Sequence, residues 1–195
     1  MKKKIAILGS TGSIGTTSLN ILKKNKNKFD IILLAANRNY SLICKQIKVF
    51  KPKYYIISDE LVFRKVKKKF KNKKIKIYNN FSDFNFKKKK FDITISSIVG
   101  IAGLSPTIKF VKYSKKILLA NKETIICGWH LIKNLSKSHK TKIIPVDSEH
   151  FSIDQLTRNY KDTDIEKIYL TASGGPFLYK PLKSFKSIKA SDAIK

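Results

Sequence analysis

The sequence predicts an α/β protein with a doubly wound, mostly parallel sheet, followed by the start of a second, α+β domain. Three observations lead to this prediction. Short apolar runs alternate with helical segments over roughly the first 150 residues, the pattern of parallel strands joined by crossover helices. A glycine-rich loop follows the first apolar run and opens a helix. Polar motifs stand where later apolar runs end, and open parallel sheets bind ligands at the carboxyl ends of their strands.

The predicted elements divide the chain into a first domain at residues 1–147 and a second at 148–195. Strands are predicted at residues 4–9, 30–36, 54–57, 75–78, 91–95, 116–120, 141–144 and 165–170. Helices are predicted at residues 16–24, 41–50, 59–70, 100–113, 125–135 and 152–158. Residues 79–90 are polar with isolated aromatic side chains, and they indicate no particular chemistry.

The net charge of +29 suggests a nucleic acid or another polyanion as partner. The identity of the basic residues argues against nucleic acid, because only Arg38, Arg64 and Arg158 are arginines and base readers usually exploit the planar arginine fork. The lysines accompany many Ile and Asn residues along the whole chain, which indicates a general compositional drift. A small phosphorylated substrate would also be attracted by this field.

Cysteine use and hydropathy predict a cytoplasmic protein. Cys44 and Cys127 make no disulfide framework, and neither lies at zinc-ligand spacing. No apolar run approaches the roughly 18 residues of a membrane span, so no membrane partner is expected. The basic and then apolar amino terminus passes directly into the glycine loop without a cleavage pattern, which favours a first strand over a signal peptide.

The glycine loop at residues 9–15 (GSTGSIG) predicts a dinucleotide site. Its spacing is G-x-x-G-x-x-G, but glycines still permit a tight turn and a close approach of the backbone to a pyrophosphate at the helix amino terminus. The hydroxyls of Ser10, Thr11 and Ser13 are expected to add donors. After the second strand, residues 36–39 (ANRN) offer no acid for a ribose hydroxyl. Arg38 favours a 2′-phosphate and therefore NADP, unless it is one more surface cation.

Residues 145–150 (PVDSEH) place two carboxylates two positions apart after an apolar run. On an extended strand end, Asp147 and Glu149 would point the same way and reach one hard cation such as Mg²⁺. The alternative is a polar turn into a helix, with Asp147 or Ser148 as its N-cap.

Two further strand ends carry polar groups. Residues 120–124 (ANKET) group an amide, an ammonium and a carboxylate, or simply start a helix. Residues 171–177 (TASGGPF) form either an anion-binding nest or a tight turn.

Four motifs together, GSTGSIG, LLANKE, PVDSEH and LTASGGPF, resemble the 1-deoxy-D-xylulose 5-phosphate reductoisomerase family from one end of the chain to the other. The resemblance implies an NADPH-dependent enzyme that forms 2-C-methyl-D-erythritol 4-phosphate by a retro-aldol and aldol rearrangement followed by hydride transfer. It implies a divalent cation, Mg²⁺, Mn²⁺ or Co²⁺, a phosphorylated small-molecule substrate and a homodimer. It makes the second predicted domain catalytic.

The resemblance also assigns roles to residues by motif. Asp147 and Glu149 would bind the metal, and Lys122, Ser148 and Glu149 would act in catalysis and contact the substrate, whose phosphate would lie on Ser173. The cofactor residues would be Thr11, Gly12, Ser13 and Ile14 at the pyrophosphate, Ala36, Asn37, Arg38 and Asn39 at the adenosine end, and Asn121 and Glu123. His150 would at most support the metal site.

The chain departs from the family pattern in its length. Family members are about twice as long, as a cofactor domain plus catalytic and helical domains would require. A further metal-binding Glu, more phosphate ligands and a closing loop are expected beyond residue 195, so the chain alone is expected to be poorly active. Two alternatives stay open. One is another NADP-dependent dehydrogenase, which would not need both NKE and PVDSEH. The other is a basic anion- or nucleic-acid-binding protein on a relic of this fold, which would bind DNA with steep salt dependence.

Overall fold

The computed structural model describes residues 1–86, 91–169 and 175–193. These residues form two compact units, Met1–Ser152 and Ile153–Lys195.

The first unit is built on a seven-stranded sheet in the order β4-β3-β2-β1-β5-β6-β7. The strands are β1 (Lys3–Leu8), β2 (Phe29–Ala36), β3 (Tyr54–Ile57), β4 (Lys76–Tyr78), β5 (Ile93–Ser96), β6 (Lys116–Leu119) and β7 (Lys142–Pro145). Every pairing is parallel. The chain runs outward from β1 to β4 and returns to pair β5 with the other side of β1, so the topological switch point lies between β1 and β5. The predicted doubly wound parallel sheet is confirmed.

Helices lie between most of these strands, and further helices follow β7. They are α1 (Ser13–Lys24), α2 (Tyr40–Phe50), α3 (Glu60–Lys69), α4 (Leu104–Val111), α5 (Lys122–Ser138), α6 (Ser148–Thr157) and α7 (Ala190–Ala193). Short 3-10 turns cover Ile101–Gly103, Asp162–Asp164, Gly175–Phe177 and Leu182–Ser187. None of the helices in the described ranges combines the length and the apolar character needed to cross a membrane.

The sheet is buried on both faces, as crossover helices require. Along β1, Ile5 and Ile7 pack into one apolar cluster, while Ala6 and Leu8 pack into another on the opposite face. Successive side chains of a strand point to opposite faces, so the continuous apolar run of β1 supplies both layers.

The segment at residues 79–86, which indicated no chemistry, contributes two aromatic side chains to the core. Phe84 is fully buried, and Phe86 stacks on Phe91 with ring centroids 4.4 Å apart. Further rings come from α4 and the turn after it, through Phe110 and Tyr113. Aromatic packing of this kind fixes an irregular loop against the sheet without backbone ladder bonds.

In the second unit, the strand predicted at residues 165–170 is not formed at 165–169, and Leu170 lies outside the described residues. The prediction for 165–169 was wrong because a strand needs a neighbouring strand for its backbone groups. Across residues 153–169 and 175–193 the structure contains helices and turns but no strand.

We expect the stability of the sheet to depend on pH through Asp92, just before β5. Its carboxylate accepts a hydrogen bond from the Lys4 N–H at 2.8 Å and one from Lys115 Nζ at 2.7 Å. Burial raises the pKa of this carboxyl, but the hydrogen bonds outweigh burial and hold the pKa below its usual value. A depressed folded-state pKa contributes stability that is present above the unfolded pKa and lost as pH falls through the folded one.

We therefore expect the free energy of unfolding to drop below about pH 4, and Asp92→Asn to flatten that drop. Urea unfolding at pH 7 and pH 3 measures both. Asp30→Asn, at an exposed acid of β2, is the matched control and should leave the pH dependence intact. An Asp92→Asn protein with the wild-type pH profile would contradict the prediction.

Candidate functional site

A cleft of about 310 Å³ opens at the carboxyl ends of the central strands, beside the switch point between β1 and β5. It is lined by residues from the glycine loop and from the segments that follow β2, β3, β4 and β5. These are Gly9, Thr11, Gly12, Ala36, Asn37, Ser58, Phe81, Ser97, Ile98, Val99, Ala102 and Pro106. This is the place where open parallel sheets bind their ligands.

Each of the three loop positions carries glycine for a different physical reason. Gly9 has φ +90°, and a Cβ there would lie 2.7 Å from the carbonyl oxygen of Ser97. A Cβ on Gly15 would collide with the carbonyl oxygen of Gly9. Gly12, in contrast, is exposed and extended at φ −76° and ψ 173°, and its Cβ would meet only an ordinary contact at 3.5 Å. The fold therefore does not require glycine at position 12, and the missing side chain leaves room for a ligand at this point.

The amino terminus of α1 adjoins Gly12 and is open. No side chain of the described residues caps it, and its first turn contains no acid. The free N–H groups and positive end of the helix dipole at this position suit a phosphate. Thr11 is partly exposed and Ser13 and Ile14 are exposed, so all three are accessible from solvent.

Ser10 was expected to donate its hydroxyl to a ligand, and this prediction was wrong. Its side chain is fully buried and donates to Gln46 Oε1 at 2.8 Å. Gln46 Nε2 donates to the Ser10 carbonyl at 2.8 Å, and the Tyr55 hydroxyl donates to Gln46 Oε1 at 2.7 Å. These two residues, from α2 and β3, support the loop from beneath, and sequence reasoning missed both of them.

Residues 36–39 contain two residues that line the cleft, an exposed arginine and a helix cap. Asn39 caps α2, because its Oδ1 accepts a hydrogen bond from the Leu42 N–H at 3.1 Å. Ala36 is buried at the end of β2 and lines the cleft together with the exposed Asn37. Arg38 is exposed between them and the cap, so its guanidinium is available to a charged group.

Asn121 fixes the segment at Ile98, which lines the cleft. Its Oδ1 accepts from the Thr124 N–H at 2.8 Å and caps α5, while its Nδ2 donates to the carbonyls of Ile98 and Gly100. The cap starts α5 at Lys122, three residues before the predicted start at 125. Asn121 is buried, so it contributes to the site by positioning Ile98, a lining residue.

The DSEH segment is helical from Ser148 onward, so the expected extended geometry of Asp147 and Glu149 was wrong. The reason is capping, the alternative left open by the sequence. Asp147 Oδ1 accepts from the His150 N–H at 3.0 Å and lies 2.7 Å from His150 Nδ1. Asp147 immediately precedes the first turn of α6 and Glu149 lies in that turn, so the charge of Asp147 acts on the Glu149 carboxyl.

The parallel pairing of β6 with β7 brings the NKE and DSEH motifs together. Leu119 is the register partner of Pro145, and the chains that leave these strands place Lys122 Nζ 3.9 Å from Glu149 Oε1. The other carboxylate oxygen of Glu149 accepts from the Ser148 hydroxyl at 2.7 Å.

Both carboxylates are ionised at neutral pH. The hydrogen bonds from Ser148 and from its own N–H, with the charge of Lys122, lower the pKa of Glu149. Burial raises the pKa of Asp147, but the hydrogen bonds from His150 outweigh it and leave the pKa below its usual value. Anionic oxygens are what a hard cation binds. In residues 1–86, 91–169 and 175–193, no group of three or more His, Cys, Asp or Glu side chains is arranged to hold a metal.

The predicted phosphate ligand Ser173 lies outside the described residues, as does most of its motif.

Models of known protein families match this chain in two segments. The model of a family described as 1-deoxy-D-xylulose 5-phosphate reductoisomerase matches residues 5–128, and that of its C-terminal domain matches residues 143–195. The chain belongs to the 1-deoxy-D-xylulose 5-phosphate reductoisomerase family. The resemblance inferred from the four motifs is thereby confirmed.

Individual reductoisomerases align along nearly all of this chain. That of Pelagibacter ubique is 48% identical over 99% of the chain and 50% of its own length. A reductoisomerase from Zymomonas mobilis, solved in complex with NADPH, superposes with a TM-score of 0.79 at 26% identity, over 100% of this chain and 52% of that one. One solved with NADPH, fosmidomycin and magnesium gives 0.76 at 28% identity, over 99% and 50%. The chain spans about half the length of the relatives it matches.

Proposed function

We propose that this chain binds NADPH and carries part of the metal and substrate site of a 1-deoxy-D-xylulose 5-phosphate reductoisomerase, which forms 2-C-methyl-D-erythritol 4-phosphate. The observation that carries the proposal is Gly12. No internal contact explains its missing side chain, and it faces a cleft at the switch point beside an open helix amino terminus. Family membership and the NADPH and magnesium complexes of the solved relatives support the same reading.

The proposal places the cofactor in and beside the cleft, on the residues that the family resemblance implies. Thr11, Gly12, Ser13 and Ile14 would hold the pyrophosphate, because they present backbone N–H groups at the start of α1. Ala36, Asn37, Arg38 and Asn39 would surround the adenosine end, with Arg38 on the 2′-phosphate. Asn121 and Glu123 would border the cofactor farther along, Asn121 by fixing the wall at Ile98. The bound nicotinamide supplies the hydride, and the protein orients it.

Asp147 and Glu149 fit a divalent cation such as Mg²⁺, Mn²⁺ or Co²⁺. Mg²⁺ in particular often takes one or two protein carboxylates and completes its shell with water and substrate oxygens. Such a cation polarises a substrate carbonyl and neighbouring hydroxyl when bound. Lys122 would present its ammonium, and Ser148 its hydroxyl, to substrate oxygens on either side of Glu149. Ser173 would bind the substrate phosphate, which fixes the substrate far from the reacting carbons.

We further propose that the cofactor domain comprises residues 1–147 and the catalytic domain starts at 148, where α6 begins. The enzyme is proposed to work in the cytoplasm on a phosphorylated small molecule as a homodimer, with no nucleic-acid or membrane partner.

Fluorescence titration with NADPH and NADH tests the cofactor assignment. We expect NADPH to bind at least about tenfold more tightly than NADH, because a charged hydrogen bond from Arg38 to the 2′-phosphate contributes about 1.5–3 kcal/mol. Arg38→Leu should remove this preference. Arg64→Leu is the matched control, since Arg64 is an exposed arginine of α3 that pairs with Glu60.

Failure of the folded chain to bind NADPH would overturn the proposal. Salt-sensitive binding to DNA in its place would favour the basic-protein alternative. If the Arg38→Leu protein still preferred NADPH, another residue would have to bind the 2′-phosphate.

A further inference from the structure

Phe81 is the only aromatic side chain among the described residues that line the cleft. It follows β4 by three residues and lines the cleft together with Ala36 and Asn37 at the end of β2, and with Ser58 just after β3. It belongs to the segment that indicated no chemistry in the sequence. The neighbouring Phe84 and Phe86 of this segment are buried, whereas Phe81 is only partly buried.

We propose that Phe81 is the surface against which the purine base of the dinucleotide packs, and that Lys109 is the positioning residue that holds its loop. This inference rests on the proposed cofactor function and adds a binding residue to it.

The place of the base follows from the order of the strands. The pyrophosphate is proposed at Gly12, after β1, and the 2′-phosphate at Arg38, after β2. Continuing in the same direction, the sheet presents β3 and then β4. The base, attached to the ribose on the side away from the pyrophosphate, is therefore directed toward the ends of β3 and β4. Ser58 and Phe81 lie there.

The ring of Phe81 is supported from behind. It meets the Phe110 ring edge to face, with centroids 6.1 Å apart and an interplanar angle of 84°. Phe110 is fully buried and stacks on Phe84 at 5.7 Å. A ring that is fixed on one side and open on the other loses little entropy when a planar base packs on it.

Lys109 fixes the backbone of the same loop. Its ammonium reaches out from α4 and donates hydrogen bonds to the carbonyls of Phe81 and Ser82. Asn80 adds a local turn, because its Oδ1 accepts from the Asp83 N–H at 2.8 Å and from the Ser82 hydroxyl at 2.5 Å. The loop is thus held at both its backbone and its ring.

Fragment binding separates this role from a general effect on folding. The probes are NADPH, adenosine 2′,5′-bisphosphate for the base-bearing half, and reduced nicotinamide mononucleotide for the other half. We expect Phe81→Leu to weaken NADPH and adenosine 2′,5′-bisphosphate by the same factor, roughly tenfold for one lost base–aromatic contact, and to leave the mononucleotide unchanged. Phe81→Tyr keeps the ring and should bind like the wild type. Lys109→Met should weaken the two adenosine ligands by a smaller factor.

Phe63→Leu is the matched control, because Phe63 is a partly buried ring of α3 that packs on the opposite core cluster and does not line the cleft. It should lower the melting temperature without altering any of the three affinities. If Phe81→Leu bound all three ligands as the wild type does, or lost as much affinity for the mononucleotide as for the adenosine ligands, the inference would be overturned. NADPH binding by the wild type would still support the cofactor proposal in that case. A wild type that binds no NADPH would overturn both.

Discussion

Gly12→Asp is expected to abolish NADPH binding while the chain stays folded and becomes slightly more stable. Position 12 is the N-cap of α1, in an extended conformation that any residue adopts, and an added Cβ has room. Aspartate is a favoured N-cap residue, better than glycine by a few tenths of a kcal/mol, and its charge suits the positive end of the helix. The substitution therefore places an anion where the pyrophosphate is proposed to bind, at no cost to the fold.

The expected loss is large because the two anions would compete for one place. Two like charges about 4 Å apart at an effective dielectric constant of about 20 repel by about 4 kcal/mol, roughly a thousandfold in affinity. NADPH titration measures the loss, and urea unfolding verifies the fold.

Gly12→Asn controls for size without charge and should lose clearly less affinity than Gly12→Asp. If Gly12→Asp bound NADPH as the wild type does, the pyrophosphate would have to lie elsewhere. If it unfolded, the structural argument for a dispensable glycine would be wrong.

The parts of this site that the sequence predicted are those encoded by short-range patterns. The strand, the glycine loop and the helix of residues 4–24 are contiguous, so their periodicity and spacing were enough to predict the β1–α1 unit. Cap residues were also visible. Asn121 stands before an amphipathic segment, and the helix start that the sequence left open at residues 120–124 is formed, although the predicted stretch 125–135 began three residues late.

In the DSEH motif, a local hydrogen bond overrides the extended geometry that the spacing of the carboxylates suggested. Two carboxylates at positions i and i+2 suggested a strand end, but the hydrogen bond from the His150 N–H to Asp147 turns the chain into α6 immediately after β7. The carboxylates were predicted from residue type, and their geometry was set by the cap.

What sequence reasoning missed depends on contacts between distant residues. Phe81 gains its position from Phe110, and Ser10 is drawn inward by Gln46 and Tyr55, which lie 36 and 45 residues away. No periodicity marks such contacts, since the residues involved come from a loop, a helix and a strand. The strand predicted at residues 165–170 is absent at 165–169 for a related reason, since a strand exists only with its partner.

Gln46→Leu is expected to destabilise the protein by about 2–4 kcal/mol, because it leaves buried polar groups without partners. Gln46 is 4% exposed, and its amide serves the Ser10 hydroxyl, the Ser10 carbonyl and the Tyr55 hydroxyl at 2.7–2.8 Å. Leucine has a similar size, so little of the loss comes from packing. The two hydroxyls are 3.1 Å apart and can bond to each other, which leaves the Ser10 carbonyl as the main orphan.

Tyr55→Phe should cost less, about 1 kcal/mol, because it removes one donor and leaves the Gln46–Ser10 pair intact. Burial raises the pKa of Tyr55, so its hydroxyl keeps its proton and the network has no titration of its own near neutral pH. Since the three side chains share one network, the double variant should cost less than the sum of the two single changes. Gln155→Leu, at the exposed glutamine of α6, is the surface control and should shift the free energy of unfolding by less than about 0.5 kcal/mol. Urea unfolding that placed Gln46→Leu as close to the wild type as this control would show that the buried amide does not hold the glycine loop in place.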